Sequence, residues 1–285
     1  MWPLRPPRYD ARTSYETCIS RTREMGEQKR RTRLAAAADA VEASGDQLRA
    51  AAVEQTLHAL EPEDFQIPGI RTGEKAVTWI YQNGMVSGPG RAIYDELMSA
   101  PENERCPLCG HGTVSQLDHF MPKNSYPALC VDPLNLIPAC SDCNWAKGDT
   151  RAGTPDELPL HPYIDDIDGE PWLDARVIHE DGLVRLEFFV APPSAWDHTL
   201  AARCRSHFRL FGLRKAYALK ANGHISEIRG YLRSLLATGG ADAVQRHLLD
   251  VASSSLTQRP NSWMGVTYRS LARDMDFCQG AFGGF

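Results

Sequence analysis

Cys106-Pro107-Leu108-Cys109, Leu117-Asp118-His119, Asn135-Leu136 and Cys140-Ser141-Asp142-Cys143-Asn144-Trp145-Ala146-Lys147-Gly148 follow one another in one short segment of the chain. Each CxxC pair places two thiolates on a tight turn, where both reach the same ion, and two such turns complete a tetrahedral four-sulfur site. Gly110 follows the first pair, where the turn needs a permissive backbone. The expected ligands are Cys106, Cys109, Cys140 and Cys143, and the expected ion is a structural zinc. A redox CxxC would need a βαβ setting, which is missing, and would leave the second pair unexplained. A plain zinc ribbon separates its pairs by about 15–20 residues. Here 30 residues intervene, so something further is inserted between the two turns.

The insert reads Leu117-Asp118-His119-Phe120-Met121-Pro122-Lys123, then Asn135-Leu136-Ile137-Pro138, and is closed by Cys143-Asn144 and Lys147-Gly148-Asp149. It resembles the signature of HNH nucleases. Five features recur in order: CxxC, Asp-His, Asn-Leu, CxxC-Asn and Lys-Gly. The resemblance covers residues 106–149 and implies a ββα-metal fold, in which Asp-His ends a first strand, Asn-Leu enters a second, and a helix begins near Asn144. The third letter of the motif is Asn144 rather than His, a variant common in the family. The resemblance also implies roles: His119 as general base, Asp118 and Asn144 as ligands of a catalytic divalent ion, and Asn135 as a brace that helps orient His119. Lys123 and Lys147 are candidate phosphate contacts.

These residue types suit phosphodiester hydrolysis, which needs a nucleophilic water, a base, and positive charge on the developing oxyanion. Imidazole is mostly neutral at cellular pH, and Mg2+ prefers oxygen ligands such as those of Asp118 and Asn144. Adjacent strand residues face opposite ways. Asp118 and His119 therefore share a site only if the chain turns there, or if metal and base lie on different sides of the phosphate. Plainer readings stay open: Asp118-His119 as a surface pair, Asn135 as a turn residue, Asn144 as a helix cap and Lys147 as solvent-exposed. Trp145 and Phe120 are expected to pack the small ββα core, with base stacking as the alternative for both. His161 is expected to fix a loop or approach the site.

The chain has 285 residues, 42% hydrophobic and 24% charged, ordinary values for a globular protein. No apolar run reaches the roughly 20 residues of a membrane span, and the basic start lacks the apolar core of a signal peptide. Cys18, Cys130, Cys204 and Cys278 read as buried thiols in a reducing, cytoplasmic setting. Residues 1–104 read as a helical region, 105–150 as the nuclease module, and 151–285 as a β-hairpin followed by helices. The fold class is α+β, mostly helical. Helices are expected over Lys29–Ala43, broken at Ser44-Gly45, over Asp46–Leu60 and over Arg91–Met98. Strands are expected over Asp174–His179 and Leu183–Val190, joined by the Asp181-Gly182 hairpin signal. Further helices run from Ser194 to about Phe211, Leu213–Leu236, Ala241–Ala252 and Ser262–Met275. The basic run Arg21–Arg33 reads as a solvated helix face.

The net charge is −5, which weighs against strong unaided DNA binding, since phosphate contacts come from Lys and Arg. Either a local basic face or a partner must hold the polymer. The stretch Asp118–Lys123 with Tyr126-Pro127, and the helical flanks, are similar to nuclease subunits encoded beside an ATPase in anti-phage cassettes of the Septu type. That likeness implies a DNA endonuclease with an ATPase partner. RNA as the polymer, and a non-catalytic zinc module that binds nucleic acid or protein, are the alternatives.

Overall fold

A computed structural model describes residues 1–22, 30–70 and 75–282, in two compact units, Met1–Asp166 and Ile167–Phe285. Part of the basic run Arg21–Arg33 lies outside the described residues. No described helix is long and apolar enough to cross a membrane.

The first unit opens with helices α1 (Ala11–Ile19), α2 (Arg30–Ala36) and α3 (Ala38–Val53). Asp10 caps α1 by accepting from Thr13 N. The break expected at Ser44-Gly45 does not occur, and α3 runs through it. Gly45 marks a close approach instead: a Cβ there would lie 2.4 Å from Ala11 Cβ on α1. Within the helix the Ser44 hydroxyl is satisfied by donating to the Ala40 carbonyl at 2.9 Å, a local bond that hydroxyl side chains readily make. The helix stops at Val53, short of Leu60, and single 3-10 turns follow. Helix α4 (Lys75–Trp79) continues as a π-helical stretch, Ile80–Val86, and α5 spans Arg91–Ser99.

Next come β1 (Gln116–His119), β2 (Leu136–Ala139) and helix α6 (Ser141–Lys147). The strands are antiparallel, with Asp118 opposite Ile137 and His119 opposite Leu136. β2 is buried throughout, as its Leu-Ile-Pro-Ala run requires. This is the ββα order, with α6 starting directly after Cys140.

The second unit starts with an antiparallel hairpin, β3 (Leu173–Glu180) and β4 (Leu183–Val190). Asp181 and Gly182 both have positive φ, +51° and +74°, the primed-turn geometry that Asp-Gly favours. Leu173, Ala175, Leu186 and Phe188 are buried, an alternation that turns one face of the hairpin inward. Helix α7 (His198–Leu210) is capped by Asp197, which accepts from Leu200 N, and not by Ser194. The segment Leu213–Gln258, α8, holds both helices expected there, kinked at Gly240 with φ 70° and ψ −174°. Helices α9 (Trp263–Arg273, capped by Ser262) and α10 (Met275–Cys278) close the unit. Asn261 Oδ1 accepts from Trp172 N and Leu173 N at 2.8 and 3.1 Å, fixing the start of β3 against the turn before α9. Mostly helical, with two small antiparallel hairpins, the chain is α+β.

Candidate active site and metal centre

The four knuckle cysteines converge. The ligand atoms of Cys106, Cys109, Cys140 and Cys143 all lie within 4.8 Å of one another and are buried. Cys109 Sγ and Cys140 Sγ are 3.8 Å apart. That separation is far beyond the roughly 2.05 Å of a disulfide, and it matches the edge of a tetrahedron with Zn–S bonds of about 2.3 Å. The chain folds this way for local reasons. Gly110 takes φ +68°, and its N–H donates to the Cys106 carbonyl at 2.7 Å. Gly112 N donates to Cys109 Sγ at 3.3 Å, and a Cβ at Gly112 would sit 2.7 Å from Cys140 Sγ. Thiolate is the form that ligates. Before any metal binds, hydrogen bonds within the cluster, first from Cys106, hold Cys109 well below the ordinary thiol range and bring Cys140 down to about 7, while the same network holds Cys106 and Cys143 above it. Four buried cysteines so arranged form a metal-binding cluster of the zinc type.

Beside this cluster, a cleft of about 610 Å³ is lined by Asp118, His119, Lys123, Asn144 and Trp145, with Tyr81 on its far wall. β1 ends at His119 and the chain bends at Phe120-Met121, so Asp118 and His119 both line the cleft despite being strand neighbours. His119 Nε2 is 2.9 Å from the Cys130 carbonyl oxygen. A carbonyl only accepts, so Nε2 carries the ring proton and Nδ1 holds the lone pair. No hydrogen bond among the described residues engages Nδ1. Burial, with the charge of Lys123 adding to it, lowers the His119 pKa to about 3, so the ring stays neutral at physiological pH.

Asp118 is buried as well, and burial pushes its carboxyl up to about 6 against the opposing pull of Lys147. Its Oδ2 stands 3.5 Å from Lys147 Nζ and makes no closer hydrogen bond among the described residues. A buried carboxylate oxygen so poorly satisfied is unusual. Together the cleft offers a neutral imidazole with a free lone pair, a buried carboxylate and an amide, a set that accepts a proton and ligates a hard cation.

Two of the expected site residues stand behind the cleft. Asn135 is fully buried and braces the loop: Met121 N donates to its Oδ1 at 2.6 Å, and its Nδ2 donates to the Met121 and Leu129 carbonyls at 3.0 and 3.1 Å. It touches His119 only indirectly, by holding the carbonyl next to that of Cys130. Lys147 is also buried, so the solvent-exposed reading fails. Its Nζ donates to the His119 carbonyl at 2.5 Å, tying the end of α6 to the end of β1. Trp145 does not pack the core; it is 86% exposed. Phe120 does pack, 4.3 Å from the ring of His161, and His161 thus supports the site from behind. All of Cys18, Cys130, Cys204 and Cys278 are buried.

Sequence reasoning missed Tyr81. Its ring meets His119 edge-on at 4.6 Å, its hydroxyl donates to the Leu117 carbonyl at 3.2 Å, and Lys123 Nζ lies 5.4 Å above its ring. It comes from the π-helical stretch, a distortion often found near functional sites that has no sequence signature.

No family model matches the chain, and no solved structure does. Septu protein PtuB of Bacillus thuringiensis is 42% identical over 43 residues, 15% of this chain and 17% of that protein. Protein ea31 of Escherichia phage lambda is 30% identical over 240 residues. That alignment spans 78% of this chain and 79% of the phage protein, which is similarity over both units rather than a shared motif, and the chain therefore belongs to the family of protein ea31.

Proposed function

We propose that the chain is an HNH-type endonuclease that hydrolyses phosphodiester bonds of DNA with the help of a divalent ion. The observation that supports this best is the pairing, in one cleft, of a neutral His119 whose Nδ1 is free with the under-satisfied Oδ2 of Asp118. Asp118 and Asn144 would hold the ion, Mg2+ or another hard divalent cation; when bound, it supplies positive charge to the phosphate and the leaving oxygen. His119 Nδ1 accepts the proton of the attacking water. Burial alone makes the ring a weak base, and the negative phosphate in the cleft would favour its protonated form and offset this. The Cys130 carbonyl keeps the ring in the tautomer that leaves Nδ1 free. Asn135 steadies the loop that carries this carbonyl. Lys147 anchors the last carbonyl of β1 and so acts by positioning, whereas Lys123 presents its charge to the cleft and is the better phosphate contact. Trp145 offers an exposed ring on which a base can stack. The zinc cluster is the scaffold.

The Septu match is close in length to the segment 106–149. It supports a shared module and, through that, a role in anti-phage defence beside an ATPase partner in the cytoplasm. The deciding experiment is His119→Ala, assayed on plasmid, single-stranded DNA and RNA with Mg2+, with and without the product of a neighbouring ATPase gene. The variant should lose all divalent-dependent cleavage while keeping its zinc and its fold. Undiminished cleavage by the variant would remove His119 from the base role.

A further inference from the structure

Unlike the first unit, which holds the whole acidic excess of the chain, residues 167–285 carry more Lys and Arg than Asp and Glu. Between Asp197 and Glu227 there is no acidic residue at all. This stretch forms α7 and the first turns of α8, and it lines a hollow of about 870 Å³ against β4. Arg205 and Arg209, one turn apart on α7, Arg214 and Lys215 at the start of α8, and Arg185 on β4 all line it and are all exposed.

The single carboxylate among the described lining residues is Glu187. It is held at 2.6 Å by Arg176 and at 3.0 Å by Arg214, so its charge is already spent within the protein. Arg205, Arg209 and Lys215 form no ion pair among the described residues. Phe189 and Phe208 supply an apolar wall. Cations this close together repel one another unless anions sit among them. All five are exposed and come from three elements, a layout that fits an extended polyanion with an apolar component better than a small anion.

We propose that this hollow binds the phosphate backbone of the nucleic acid on which the chain acts. The proposal rests on the nuclease reading above and gives it a substrate-holding surface. An acidic chain then engages DNA through one locally basic unit, since phosphate contacts dominate such affinity whatever the overall charge.

The test uses the full-length, zinc-loaded chain carrying His119→Ala, titrated into a short fluorescein-labelled DNA duplex over a range of salt. With Arg205→Gln and Arg209→Gln added together, affinity at physiological salt should fall roughly tenfold or more, and the slope of log K against log salt should shallow by about two. The thermal midpoint should not move, because both side chains are exposed and glutamine is a good helix former. A control pair, Arg233→Gln with Arg246→Gln, makes the same charge change at exposed α8 positions outside the hollow and should leave both affinity and slope unchanged. Equal losses in the two double variants, no loss in the first, or no DNA binding by the parent would overturn the proposal. ATP bound as tightly as the duplex would also overturn it, since the hollow would then be a nucleotide site. If the chain with His119 intact never cleaves but hollow-dependent DNA binding persists, the nuclease reading fails and this one stands.

Discussion

Replacing Asn135 with Ala should cost the first unit more than an ordinary core truncation of the same size. The side chain is 0% exposed, so water does not reach the groups it serves. Its removal strands the Met121 N–H and the Met121 carbonyl, and takes one of two donors from the Leu129 carbonyl, which keeps Asp132 N at 3.2 Å. Each buried polar group left without a partner costs about 1–3 kcal/mol. Backbone relaxation and an entering water recover part of this, which leaves a loss of about 2–4 kcal/mol. For a unit of this size that corresponds to a fall in melting temperature of roughly 4–16 °C. Asn135→Asp isolates the polarity, because one oxygen can still accept from Met121 N while the other faces the Met121 and Leu129 carbonyl oxygens and repels both; it should fare no better than alanine. Urea unfolding of zinc-loaded protein measures both variants, and cleavage by the folded fraction should drop with them because the Cys130 carbonyl that fixes the His119 tautomer loses its support. A loss below about 1 kcal/mol for the alanine variant would show that the loop holds itself, and the bracing argument would be wrong.

Asp132 gives a stability test that depends on pH. It is buried, its Oδ1 accepts from Leu134 N, its Oδ2 has no hydrogen bond among the described residues, and burial pushes its pKa up to about 6. The folded state therefore holds the proton more tightly than the unfolded chain, and this contribution to stability is lost as pH rises from about 4 to about 6. Asp132→Asn should add about 2 kcal/mol at pH 7 and almost nothing at pH 4, read from urea midpoints; an equal effect at both values would refute the charge argument. Gly112→Ala presses a methyl group against the Cys140 thiolate and should weaken zinc binding roughly tenfold or more, as changes just outside a metal's ligands do. Competition with a chromogenic chelator measures it, and an unchanged affinity would mean that the knuckle yields freely.

The zinc cluster was legible because a two-residue spacing admits little else, and the ββα order because its signals are short-range: Asp-His, Asn-Leu, and a helix opening directly after Cys140. The Asp181-Gly182 turn was legible for the same reason. What escaped depends on contacts distant in sequence. Gly45 reads as a breaker until Ala11 is seen lying against it. Lys147 reads as a surface lysine because nothing nearby announces that the His119 carbonyl will take its ammonium. An indole after Asn144 promises core, yet Trp145 stands in the open because α6 buries Cys143 and Lys147, four residues apart, and puts Trp145 on the opposite face. The N-cap shifted from Ser194 to Asp197 because Ser194 lies in a turn closed by Trp196 N donating to the Pro193 carbonyl at 3.1 Å, and the helix opens only after it. The basic hollow is invisible locally, since its cations come from three elements.

Helix α6 is seven residues long, about 10 Å. It begins directly after one zinc ligand, Cys140, and ends on the lysine that holds the His119 carbonyl. The helix therefore acts as a strut between sulfur chemistry at one end and the imidazole at the other. Loss of the metal would reach the His119 carbonyl through seven residues of backbone. On the nuclease reading, stripping the metal from the cysteines should therefore silence cleavage by loosening one short strut, and restoring the metal should bring it back.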